Sequence, residues 1–161
     1  MAEPLFADGP EGLADRDTLL SMSGLAFMEA IRDGRLPQSP IGRTLDFRVV
    51  EVERGRVTFE GAARFAHTNP MGTVHGGWYG TLLDSAMACA VMTEVPRGSI
   101  YTTLEYKVNV TRNLPLDMPV RVTGTVRHAG RTTGVATGEM RGADGTLYAT
   151  GSTTCIVMAA A

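Results

Sequence analysis

His67-Thr-Asn-Pro-Met-Gly-Thr-Val-His-Gly-Gly-Trp-Tyr-Gly-Thr-Leu-Leu-Asp84, running on into Ser85-Ala-Met-Ala-Cys-Ala-Val-Met92, is the stretch that decides the fold. Pro70 pushes Asn69 toward an extended backbone, and Gly72 permits a tight turn. Gly76-Gly77 then open a helix with no side chain covering its first amides. From there the large and apolar residues fall at 78, 79, 82, 83, 86, 87, 90 and 91, one continuous stripe of helical period. The spacing predicts a helix from about Gly76 to Met92. Its small residues Ser85, Ala86, Ala88 and Ala90 let other backbones approach closely, as a central helix wrapped by a sheet requires.

Outward from this helix the period changes to two. Upstream, Leu45, Phe47 and Val49 and then Val57 and Phe59 alternate with polar neighbours, which predicts a hairpin turned near Arg54-Gly55. Downstream of Pro96, Leu104, Tyr106, Val108 and Val110 predict a half-buried strand. Pro115 and Pro119 bracket a turn, Val120, Val122 and Val126 mark another strand, and a turn is expected at His128 to Arg131. Strands at Val135 to Arg141 and Leu147 to Met158 follow, joined through Ala143-Asp144-Gly145. Residues 1 to 16, rich in Gly, Pro and acids, read as a loose tail. Asp17 is then expected to cap one helix carrying Leu19, Leu20, Leu25, Met28 and Ile31, stopped by Gly34 and Pro37. The order of elements gives an α+β class with an antiparallel sheet.

With 161 residues, 43% of them hydrophobic, the chain suits one domain with a substantial core. A net charge of −2 and a pI near 5.9 supply no basic field for nucleic acid or anionic lipid, so any anionic ligand must be met locally. Cys89 and Cys155 are far apart, match no metal spacing and sit in apolar segments, so both read as packing thiols in a reducing compartment. No basic-then-apolar leader and no long apolar run is present, and the expected location is cytoplasmic. His67 and His128 read as loop residues, since no second His or Cys stands at metal spacing.

The chemistry is expected at the start and middle of the long helix. Unpaired N–H groups of Gly76 and Gly77 can polarise a thioester carbonyl and hold the oxyanion formed on attack. Asp84 is a carboxylate in an otherwise nearly apolar helix, where it must be exposed, paired or kept for function. At 1.5 Å per residue it stands about 12 Å along the helix from Gly76, too far for both to act on one carbonyl carbon. An antiparallel helix from a second subunit brings one chain's Asp84 beside the other's Gly76 and creates two equivalent sites.

The pattern Asn69-x-x-Gly72-x-x-His75-Gly76-Gly77 with Asp84 following resembles the hotdog-fold thioesterases, in particular the phenylacetyl-CoA thioesterases and their mitochondrial acyl-CoA relatives. The resemblance covers residues 38 to 158. It divides the chain into an N-terminal tail and helix at 1–37 and a thioesterase domain at 38–161, and it implies a long central helix wrapped by an antiparallel sheet. Homodimers with sites at the subunit interface, paired into tetramers, are implied as well. So is a set of roles. Asp84 activates a water or attacks the thioester, the Gly76 amide polarises the carbonyl, and Asn69 orients water or thioester. Thr103 or its neighbour Thr102 assists with a hydroxyl, His75 holds the loop, and Arg112 and Arg131 meet the CoA phosphates. Neither metal nor other cofactor is implied, CoA being part of the substrate. The methionines read as core filler, with Met71 also placed to line an acyl tunnel, and Trp78 and Tyr79 either border the acyl group or pack in the core.

Hydrolysis of a small or medium acyl-CoA is therefore the leading expectation, aromatic acyl groups included. A hydratase or dehydratase on the same fold, pairing a His with its acid, and a non-catalytic acyl-CoA sensor are the competitors. Acyl carrier protein remains an alternative to CoA as the thiol.

Overall fold

In the computed structural model, which describes residues 4–160, the predicted long helix is the organising element. The chain forms α1 (Arg16–Leu20), α2 (Gly24–Arg32), α3 (Pro40–Thr44), β1 (Phe47–Glu53), β2 (Arg56–Ala62), α4 (Gly76–Met92), β3 (Ser99–Val110), β4 (Pro119–Ala129), β5 (Thr133–Gly142) and β6 (Leu147–Ala159). The strands form one antiparallel sheet in the order β1-β2-β4-β5-β6-β3, with α4 packed across it. This is the helix-in-sheet arrangement of the hotdog fold. Among the described residues no helix is long and apolar enough to cross a membrane.

Every residue of the predicted stripe on α4 is buried, from Trp78 to Val91. Leu82, Leu83 and Met87 are fully enclosed, and such burial stabilises by about 1.5–3 kcal/mol per side chain. The sheet meets the helix backbone directly where Gly124 lies under it. A Cβ at Gly124 would stand 2.1 Å from the carbonyl oxygen of Ala86. Glycine in β4 and alanine in α4 are thus two halves of one close approach.

The N-terminal region departs from the sequence expectation. Instead of one helix capped by Asp17, α1 is capped by Asp15, whose carboxylate accepts from the Thr18 N–H at 2.8 Å. Ser23 then caps a separate α2 through the Ala26 N–H. Ser and Asp accept from exposed amides better than they continue a helix, so each starts a new one. The break also serves packing, because a Cβ at Gly24 would meet the Met92 carbonyl oxygen at 1.8 Å. Nor is the segment before α1 loose. Phe6 bridges to Gln38, and Arg43 binds Asp8 and the Phe6 carbonyl while covering the Phe6 ring. At the other end, β4 runs through His128 to Ala129, so the turn falls at 130–132 rather than starting at His128.

The edge strand β3 carries a break in register. Its register with β6 shifts between Thr103 and Glu105, leaving Leu104 as a bulge. Thr103 is opposite buried Cys155 and Tyr106 opposite buried Thr153, so both face the helix although they differ by an odd number of positions.

Candidate active site

The loop before α4 is held by its own side chains. The Asn69 side-chain oxygen accepts from the Met71 and Thr73 N–H groups at 2.9 and 3.3 Å, and its amide donates to Thr73 Oγ1 at 2.8 Å. Gly72, at φ 77°, makes the turn, and its N–H donates to the Asn69 carbonyl. Asn69 therefore shapes the loop within one chain, and only one of its two amide hydrogens is used there.

His75 is the N-cap of α4. Its Nδ1 accepts the Gly77 N–H at 2.9 Å, which puts the ring proton on Nε2. That bond separates the two glycines the sequence had grouped together. Gly77 is satisfied by the cap, whereas the N–H of Gly76 has no acceptor among the described residues and is exposed. A Cβ built on Gly76 meets nothing within 4 Å. One helix amide is left without an acceptor, at a residue with no side chain to cover it.

His67 is more than a loop residue. It is buried, its Nδ1 accepts from the Arg64 N–H at 3.0 Å, and its Nε2 lies 3.1 Å from the Thr44 carbonyl. Its own carbonyl accepts from the His75 N–H, and its ring stacks on Trp78. Trp78 and Tyr79 are core residues, with the indole N–H donating to Leu45 O and the Tyr79 hydroxyl accepting the Leu114 N–H. Together they fix the first turn of α4 to the body.

Two helical turns on, Asp84 is half-buried, and Thr103 donates its hydroxyl to Asp84 Oδ1 at 3.0 Å. The bulge at Leu104 settles which threonine stands there, since Thr102 faces the opposite side of the sheet, beside Ile156. Burial raises the Asp84 pKa above the ordinary carboxylate value, and the Thr103 bond offsets part of that rise. The result is a carboxylate of increased basicity with one oxygen held and one available. Nearby Cys89 is pushed up to about 12 by burial, partly countered by its bond with Tyr101, so its thiol is not a nucleophile at neutral pH. Burial also raises Cys155.

Within one chain these groups do not come together. Gly76 and Asp84 are eight residues apart on a continuous helix, about 12 Å. The basic candidates also divide. Arg112 lines a cleft of about 330 Å³ with Thr73, Gly76 and Val110 at the N-terminal end of α4. Arg131 lines a groove of about 560 Å³ with Pro96, Ser99 and Met158 near the opposite end. Neither arginine makes an ion pair among the described residues. Tyr106, which the sequence marked only as a strand residue, lies against Gly80, between Gly76 and Asp84. A glycine inside a long helix, costly by about 1 kcal/mol, was the available signal of that close approach.

Comparison with known proteins agrees with this architecture. Residues 71–149 match the model of the thioesterase superfamily. A thioesterase family protein of Silicibacter pomeroyi is 28% identical, with a TM-score of 0.69 over 75% of this chain and 90% of its own. A phenylacetic acid degradation-related protein of Ralstonia eutropha is 26% identical, with a TM-score of 0.73 over 81% and 98%. A variant of the phenylacetic acid degradation protein PaaI of Thermus thermophilus is 26% identical, with a TM-score of 0.67 over 73% and 98%. No curated protein matches the sequence significantly.

Proposed function

We propose that this chain, a member of the hotdog-fold thioesterase superfamily, hydrolyses a small or medium acyl-CoA in a site shared between two subunits. The observation that carries the proposal is the pairing of two unfinished halves. A free Gly76 amide stands at the start of α4, and a carboxylate of raised basicity, held by Thr103, stands two turns along it. Each lacks the other within one chain, and an antiparallel second α4 supplies it at both ends.

The exposed surface supports this pairing. The side of α4 bearing Gly77, Thr81, Asp84 and Ser85 is small and incompletely buried. Beside it, β3 is an edge strand that exposes Leu104, Tyr106 and Val110. Long apolar edges of this kind are normally covered by another chain. Antiparallel pairing of two β3 edges also brings Arg112, just beyond the end of β3, toward the partner's Arg131 beside Ser99. The two arginines then flank one CoA phosphate region. Such dimers pair further into tetramers.

In this site the Gly76 N–H polarises the thioester carbonyl. The partner's Asp84 takes a proton from a water that attacks the carbonyl carbon, the oxyanion is held by the amide, and its collapse breaks the C–S bond, with CoA leaving as the thiol on taking that proton back from Asp84. Asn69 and His75 keep the loop and the first turn in place. Direct attack by Asp84 is the alternative chemistry: it expels CoA and forms a mixed anhydride, and hydrolysis of that anhydride at the aspartyl carbonyl would leave isotopic label from water in the aspartate after a single turnover. A hydratase is disfavoured because His75 spends Nδ1 on the cap, leaving an N–H donor rather than a base. The names of the Ralstonia and Thermus relatives make arylacetyl thioesters the first aromatic substrates to include.

The test is thiol release from a panel of acyl-CoAs by the wild type and by Asp84→Ala. The expected result is turnover of some member by the wild type and near-complete loss in a folded variant; equal activity of the two would refute the assignment. Mixing and re-equilibrating Asp84→Ala with Gly76→Pro tests sharing. About one quarter of wild-type activity should return, since half the dimers are mixed and each mixed dimer has one intact site. Persistent inactivity of the mixture refutes a shared site.

A further inference from the structure

We propose that Tyr106 sets the length of acyl group the site accepts, its ring closing the acyl pocket at the two-fold axis of the dimer; this rests on the shared thioester site proposed above. Three observations place the ring there. The bulge at Leu104 turns Tyr106 onto the inner face of β3. On that face the ring rests on the backbone of α4 at Gly80, where a Cβ would stand 3.3 Å from a ring carbon and 3.4 Å from the hydroxyl oxygen. Tyr106 is nevertheless 47% exposed, with Leu104 at 59% and Val110 at 49% on the same edge strand, so this apolar surface is left uncovered within one chain.

Gly80 is four residues from Gly76 and four from Asp84. If antiparallel helices bring Gly76 of one chain level with the partner's Asp84, the two-fold axis must pass at the level of residue 80. The Tyr106 rings of both chains then meet that axis from either side. The direction of the acyl group follows from the other half of the substrate. The cleft beside Gly76 contains Val110, Thr111, Arg112 and Asn113, so the thiol limb with its phosphates leaves toward Arg112, away from Gly80. The acyl limb leaves the carbonyl on the opposite side, toward Gly80 and Tyr106. From Gly76 to the level of Gly80 is about 6 Å, the span of an aromatic ring or a short aliphatic chain. Beyond it stand two tyrosine rings and the second site.

The experiment is thiol release across straight-chain acyl-CoAs from acetyl to palmitoyl, comparing kcat/KM of the wild type, Tyr106→Ala, Tyr106→Phe and Gly80→Ala, each checked for fold and dimer mass. The wild type is expected to lose at least about tenfold in kcat/KM between hexanoyl and decanoyl thioesters, a modest demand for several methylenes that do not fit. Tyr106→Ala should move the optimum to longer chains, and Tyr106→Phe should keep the wild-type profile, because the ring rather than the hydroxyl forms the wall. Gly80→Ala, which pushes the ring outward by a few tenths of an ångström, should shorten the accepted chain. This last variant leaves Tyr106 intact and carries the test if Tyr106→Ala fails to fold. A wild-type rate that rises through palmitoyl, or chain-length profiles unmoved in both Tyr106→Ala and Gly80→Ala, overturns the assignment of Tyr106 alone. Absence of thiol release from every acyl-CoA by the wild type overturns the thioesterase function itself, and the two failures are therefore separate.

Discussion

Gly76→Pro isolates a single hydrogen atom of the proposed site. Gly76 is the first residue of α4, where proline is favoured because that N–H has no partner within the helix. The preceding residue must be extended, and His75 has φ −64° and ψ 137°. A Cβ at 76 meets nothing within 4 Å, and the cap from Gly77 to His75 does not involve the Gly76 N–H. Stability should therefore stay the same or rise by about 0.4–1 kcal/mol through the stiffer unfolded chain. Loss of the oxyanion donor, by contrast, should lower kcat by about a hundred- to a thousandfold, or about 2.7–4 kcal/mol of transition-state stabilisation. Gly76→Ala is the control, since it adds a methyl and keeps the N–H. The measurements are urea denaturation for the fold and steady-state thiol release for catalysis. A folded Gly76→Pro enzyme within about threefold of wild type refutes the role of the amide. Equal losses in Gly76→Pro and Gly76→Ala assign the effect to the added carbon instead.

Asp84→Asn should abolish turnover yet stabilise the fold at neutral pH, since the raised folded-state pKa means that folding opposes ionisation of this carboxylate. The aspartate's handicap is absent below the unfolded value of about 3.9 and grows as pH rises through the folded value, so the gain in Tm should appear near neutrality and vanish in acid. A gain that instead grows toward acid would contradict the shift. Thr103→Val removes the hydroxyl that favours the charged form of Asp84, so the acid limb of the kcat/KM profile should move to higher pH; a limb that stays put leaves Thr103 without this role. Gly124→Ala drives a methyl into the Ala86 backbone and should cost about 1–3 kcal/mol or more in urea unfolding. A neutral result there would show that α4 does not rest directly on β4.

The long helix was legible because its apolar stripe has a single period, and Gly76 and Met92 bound it in sequence as they do in the fold. The same held for the hairpin at Arg54-Gly55 and for the α+β class, since alternation and turn residues are local signals. The proposal that Asp84 and Gly76 act across two chains also starts from the sequence, because helix rise is fixed and about 12 Å is too far for one carbonyl. What tertiary structure alone decided was phase and competition. An unpaired bulge at Leu104 has no local mark, yet it chooses Thr103 over Thr102 and turns Tyr106 toward Gly80. A cap bond leaves Gly76 free and Gly77 occupied, which two adjacent glycines do not reveal. The split of the N-terminal helix had the same origin, for Gly24 must lie against Met92, a contact between segments far apart in the chain. Periodicity fixes what a segment is; the partners that segments find across the fold fix which of its atoms remain free to act.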